Sequence, residues 1–195
     1  MTFFAARHWR FYATLGALAA VLIAATGGLT LRLPTLDEWG QPLTVRFTAF
    51  APAIFAILVT VGTKTHYVSL ERTAHRNLSR WRLVHILTTL TGQAVALTLG
   101  VIGGAYVSGT PAEVPERLID FALFAGVGLV IAPLSGATLS WIAPLATAII
   151  CATLAVNTPI NVLTQSIAEA PQLAVTSVVL CVAGVIATAI LPSRE

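Results

Sequence analysis

Four histidines, two cysteines and a few carboxylates hold whatever covalent chemistry this chain can perform, and their spacing argues against most of it. His8, His66, His75 and His85 form no metal-binding pattern, and no HExxH run is present. Cys151 and Cys181 stand singly in separate apolar stretches, where a small packing residue is the ordinary role. If residues 64 to 82 wind into a helix, His66, Glu71 and His75 come near one face and could hold a metal ion; solvated loop histidines are the ordinary alternative. Intramembrane hydrolases and transferases place His, Asp, Glu or Ser toward a polar cavity, and no such cluster can be assembled here. An ion-driven carrier needs an ionisable group near the middle of a span. Asp120 comes nearest, and its place close to the outer end of an apolar run suits an interfacial carboxylate. Gln93, Asn157 and scattered Thr and Ser are the remaining polar groups in the apolar runs. With no Walker A pattern and no Gly-rich phosphate loop, neither ATP binding nor catalysis is expected of this chain, nor any cofactor of its own.

The elements carrying these residues belong in lipid. Hydrophobic residues make up 56% and charged residues 10% of 195, with a mean hydropathy of +0.85. Lipid demands that each backbone polar group be satisfied within its span, and apolar runs without period-2 alternation satisfy it as helices. The expected fold is an all-α integral membrane protein, one domain over 1–195, with six spans near 11–31, 47–63, 83–107, 118–133, 137–156 and 173–191. Pro133, Ser135 and Gly136 supply the break that divides the long run from 118 to 156. Six spans put Arg7, Arg10, Lys64, Arg72, Arg76, Arg80, Arg82 and Arg194 on one side, and Arg32, Arg46 and Arg117 on the other. That imbalance places both termini in the cytoplasm. A cleaved signal peptide would explain Arg7 and Arg10 too, but the run after them is too long and lacks a small-x-small site. The net charge of +3 then belongs to one membrane face and calls for no nucleic acid.

Five of the eleven Lys and Arg residues crowd into residues 64 to 82. As a helix this stretch sets Leu70, Ala74, Leu78 and Trp81 along one side and Arg72, Arg76, Arg80 and Arg82 mostly off it, a pattern that rests on a membrane surface. Attraction to anionic headgroups accounts for the arginines; a docking element for a cytoplasmic partner accounts for them as well.

The order Glu71, Arg72, Thr73, Leu78, Ser79, Arg80 before the next apolar run resembles the segment between the second and third helices of ABC-2-type transporter permeases, the membrane subunits of ABC exporters. Asn77 stands near where that family often has Pro, and Arg72 replaces its usual Gly before Thr. The match covers about thirteen residues, and the chain is short for the family. The resemblance implies a six-helix layout and a coupling helix in which Glu71, Arg72, Thr73, Arg76, Leu78 and Arg80 contact a separate cytoplasmic ATP-binding subunit. That partner would hold ATP and Mg. It also implies a second membrane subunit, identical or related, in the cell membrane. An amphipathic or hydrophobic cargo, such as a peptide, lipid or antibiotic, suits spans whose polar groups are Thr, Ser and Gln93, and export follows from the resemblance alone.

Other patterns are open to two readings. Gly16, Ala20, Ala24 and Gly28 form one row of small residues at four-residue spacing, and Gly92, Ala96, Gly100 and Gly104 form another. Such rows let helices approach closely in lipid, inside one subunit or across a dimer. Residues 3 to 11 read as an interfacial helix, and residues 158 to 171, with Thr158 as N-cap and Pro159 first, as a short external helix or an ordinary loop. The rival function is a small membrane scaffold or regulatory subunit that lines no path.

Overall fold

The computed structural model describes residues 9–33, 43–63, 78–135, 139–153 and 171–191. Within them lie six helices and one short hairpin: α1 (Trp9–Ala25), β1 (Thr30–Leu33), β2 (Leu43–Arg46), α2 (Ala51–Gly62), α3 (Leu78–Ser108), α4 (Val114–Ser135), α5 (Ile142–Thr153) and α6 (Pro171–Ile190). Three of them, α3, α4 and α6, are long and apolar enough to cross a membrane. Their outward faces carry Val95, Leu99, Ile102, Val175, Val179, Ile186 and Ile190, all exposed. A surface of that kind suits hydrocarbon, since water would drive it to aggregate.

The hairpin corrects the all-helical expectation. α1 stops at Ala25 instead of running to 31, because Gly27 and Gly28 follow and the chain turns through the Leu29 N–H to Thr26 O bond, 2.9 Å. Strands β1 and β2 then pair antiparallel, with Thr30 opposite Arg46 and Leu33 opposite Leu43. A 3-10 turn at Phe47–Phe50 leads into α2, where Pro52 in the first helical turn needs no N–H partner. α4 also departs from expectation. It begins at Val114 and runs through Pro133 to Ser135, and α5 begins at Ile142 where 137 was expected. Pro133 has no N–H for the Leu129 carbonyl four residues earlier, and the Thr188 hydroxyl, 2.8 Å from that oxygen, offers it a donor instead. The described part of α5 is 12 residues, about 18 Å at 1.5 Å per residue, which is short of a full span.

α3 ends in a glycine cap. Gly109 takes the left-handed conformation at φ +65° and the Thr110 N–H bonds the Ala105 carbonyl at 3.1 Å, the pairing that closes a Schellman motif. Two glycine-lined crossings hold the bundle. On α1 and α3, a Cβ placed on Gly100 would meet Ala20 Cα and O at 3.2 Å, one on Gly103 would meet Ala24 Cβ at 2.8 Å, and one on Gly27 would strike the Gly104 backbone. The two small-residue rows thus face each other within one chain, with Gly27 in the tight position and Gly28 only 4.0 Å from Ser108 Cβ. Gly92 lies apart, with open space where its Cβ would be. On α4 and α6, Gly126 and Gly184 bring the backbones together, and the Thr188 hydroxyl lies 2.8 Å from both Leu129 O and Gly184 O. α2 lies between these pairs, burying Phe55, Ala56 and Val59. Thr188→Val keeps the shape and removes the interhelical bond, so stability should fall by about 0.6 kcal/mol, the mean for such bonds in lipid. Reversible unfolding in SDS measures it, and a loss of zero would show that the Gly184 carbonyl alone satisfies the hydroxyl.

Candidate functional site

Polar side chains are spread along the described bundle, and in two places they pack against one another. Their hydroxyls are mostly silent. Thr26, Thr88, Thr89, Thr98, Ser108, Thr147, Thr176 and Ser177 each lie within bonding distance of the carbonyl four residues earlier. That back-bonding hides the donor from lipid. These Thr and Ser residues therefore offer a passing molecule lone pairs and few protons.

At the end bearing the hairpin, the first turns of α4 hold an ionic cluster. Arg117 Nη1 donates to Asp120 Oδ2 at 3.1 Å, and Nη2 donates to Glu113 Oε2. Spacings of three and four put the three side chains on one helical face. Asp120 is 2% exposed and Arg117 7%, whereas the Glu113 side chain is 45% exposed. Asp120 lies about 9 Å along the helix from Val114, buried against its arginine. Beside the cluster is a cavity of about 20 Å³ lined by Arg46, Thr48, Ser108, Thr110, Glu113 and Arg117, among others. Space of that size takes about one water. Sequence reasoning passed over this cluster because it weighed Asp120 alone. The signal was Glu113, Arg117 and Asp120 read together as an i, i+4, i+7 set.

At the opposite end, α1, α2 and α3 meet around His85, which is 2% exposed. His85 Nε2 lies 3.0 Å from the Gly62 carbonyl, at the last turn of α2, and the Tyr12 hydroxyl donates to Val61 O at 3.5 Å. His85 thus ties α3, and Tyr12 ties α1, to the end of α2. Deeper in, Gln93 Nε2 donates to the Tyr12 carbonyl at 3.0 Å, and its Oε1, buried, has no hydrogen-bond partner. Gly16 makes room for it: a Cβ there would lie 2.5 Å from that oxygen. A cavity of about 410 Å³ opens between α1 and α3 beside these groups.

Compared with models of protein families, with curated proteins and with solved structures, the chain has no match. Of the residues expected to contact an ATPase, Glu71, Arg72, Thr73 and Arg76 lie outside the described residues, as do His66, His75, His8 and Asn157. Of the interfacial helix read at 3–11 only residues 9–11 are described, and they open α1; of the external helix read at 158–171 only Pro171 is described, and it begins α6 where a helix stop was expected. Leu78 and Arg80 open α3, and Arg80 is exposed. Cys151 is buried and Cys181 half-buried, in α5 and α6 respectively. Among the described residues no three His, Cys, Asp or Glu side chains gather as metal ligands would. The described arginines divide evenly by end: Arg32 lies in β1 and Arg46 and Arg117 share one cavity wall beside it, while Arg10, Arg80 and Arg82 sit in the first turns of α1 and α3.

Proposed function

We propose that this chain is a multi-pass subunit of the cell membrane, with six spans and both termini in the cytoplasm, that serves as the membrane subunit of an ATP-driven exporter of amphipathic or hydrophobic cargo. α3, α4 and α6 cross fully, and α1, α2 and α5 complete the six. The observation that supports it most is the mounting of the basic segment. His85, two turns into α3, on Gly62 O at the last turn of α2 joins the two helices that flank that segment, so a force passed to either helix is borne by both. A coupling element between an ATPase and a membrane subunit needs that stiffness. The described arginines number three at each end, so the basic cytoplasmic face of this reading rests on Arg7, Lys64, Arg72, Arg76 and Arg194 in the sequence. In this reading Glu71, Arg72, Thr73, Arg76, Leu78 and Arg80 meet a cytoplasmic subunit that holds ATP and Mg, and a second membrane subunit completes the path.

One observation favours the rival, a scaffold that transports nothing. Both crossings bring glycine against backbone, and seams so close resist the sliding that alternating access requires. The partner distinguishes the two. Charge reversal at Arg72 and Arg76 should abolish copurification of an ATPase in mild detergent while the protein stays inserted and monodisperse. A copurifying ATPase that ignores the reversal removes the coupling role, and a stoichiometric partner without ATPase activity leaves the scaffold.

A further inference from the structure

The hairpin between α1 and α2 alternates in side-chain type. Thr30 pairs with Arg46 and Arg32 with Thr44, so these four share one face of the ladder, and Leu31 and Val45 share the other. The Phe47 N–H bonds Leu29 O at 2.9 Å and extends the pairing by one residue, which puts Leu29 on the apolar face. Val45 is buried against the bundle, whereas Leu29 and Leu31 are exposed. The chain enters this hairpin beside the last turn of α3, where a Cβ on Gly28 would lie 4.0 Å from Ser108 Cβ. Tyr106, 89% exposed, stands in that turn, and an exposed tyrosine near the end of a spanning helix belongs at the headgroup layer. The hairpin is therefore level with headgroups.

Its polar face is cationic. Arg32 and Arg46 are diagonal neighbours, a position about 7–8 Å apart in a ladder and within reach of long side chains. Among the described residues neither has a carboxylate at ion-pair distance. Glu113 shares a cavity wall with Arg46 but is paired with Arg117. Two neighbouring guanidiniums repel each other, and an oxyanion between them turns that repulsion into attraction. Their planar forks match phosphate oxygens, and the exposed hydroxyls of Thr30 and Thr44 on the same face are further donors.

We propose that the hairpin binds the phosphate of an anionic phospholipid between Arg32 and Arg46, while Leu29 and Leu31 rest among acyl chains. The site needs membrane insertion only, and neither an ATPase nor a second subunit.

The test is hydrogen exchange of the full chain in two nanodiscs, one of phosphatidylcholine, whose choline offsets the phosphate charge, and one mixed with phosphatidylglycerol. Amides of β1 and β2 should exchange roughly tenfold more slowly in the mixed discs. Arg32→Gln with Arg46→Gln should remove the difference. Unchanged exchange of the unaltered protein overturns the site, the arginines then being neutralised within the chain, whose connection between the strands carries Asp37 and Glu38. Slowing that survives both substitutions is a general effect of surface charge and overturns it too. Equal slowing by inorganic phosphate in phosphatidylcholine discs gives the site to a free anion and overturns the lipid. The comparison of the two discs uses the unaltered protein, so it decides even where a variant fails to fold.

Discussion

Arg117→Met should cost this protein about 3–5 kcal/mol, the range for removing one partner of a buried ion pair, and most of that loss should return when Asp120 is changed to Leu as well. The asymmetry follows from solvation. Asp120 is 2% exposed and has Arg117 as its cationic neighbour at 3.1 Å. With the guanidinium gone, its carboxylate must take up a proton or remain charged in a medium that cannot solvate it. Glu113 suffers less, since its side chain is 45% exposed and can turn to water. Replacing both buried partners by apolar groups of similar volume removes attraction and desolvation together, and such exchanges are often neutral. Unfolding of the single and double variants against SDS measures both arms. A single variant as stable as the parent, or a double variant as weak as the single, would show that the cluster is solvated and adds little.

The second large effect is expected at Gly126. A Cβ there lies 2.7 Å from Cys181 N, 2.8 Å from Leu180 C and 2.9 Å from Cys181 Cα. These are backbone atoms of α6, so no rotamer change relieves the clash and the helix must move as a body. Moving it breaks the reciprocal seat of Gly184, which faces Gly126 O and Leu129 Cβ at 2.8 Å, and carries Thr188 away from Leu129 O. Gly126→Val should therefore destabilise by about 3 kcal/mol or more, the upper end for overpacking. Gly92→Ala makes the same kind of change in open space and should stay within about 0.5 kcal/mol, as surface substitutions do. Equal effects at the two glycines would mean that helix propensity, and not the seam, sets the cost.

Neither Gly126 nor Gly184 stood out in the sequence, where the repeats beginning at Gly16 and Gly92 drew attention. Spacing finds rows, whereas a crossing of two helices needs only one small residue from each at the point of nearest approach. The tertiary structure also split the second row: Gly100 and Gly104 entered a seam, while Gly92 was left facing the cleft. The hairpin escaped notice because its four-residue strands are shorter than any reliable alternation.

Composition and run length were enough to make this a helical chain suited to lipid, since hydrocarbon permits few alternatives to the helix and about 20 apolar residues are legible without neighbours. The ends of α3 and α6, set within a few residues by their own apolar runs, were local properties of the same kind. Burial was not. Whether Asp120 met water or Arg117, whether Gln93 pointed into lipid or into α1, and which glycines touched another backbone depended on how the helices were rotated and crossed. That rotation is the joint result of every packed pair, and no single run encodes it.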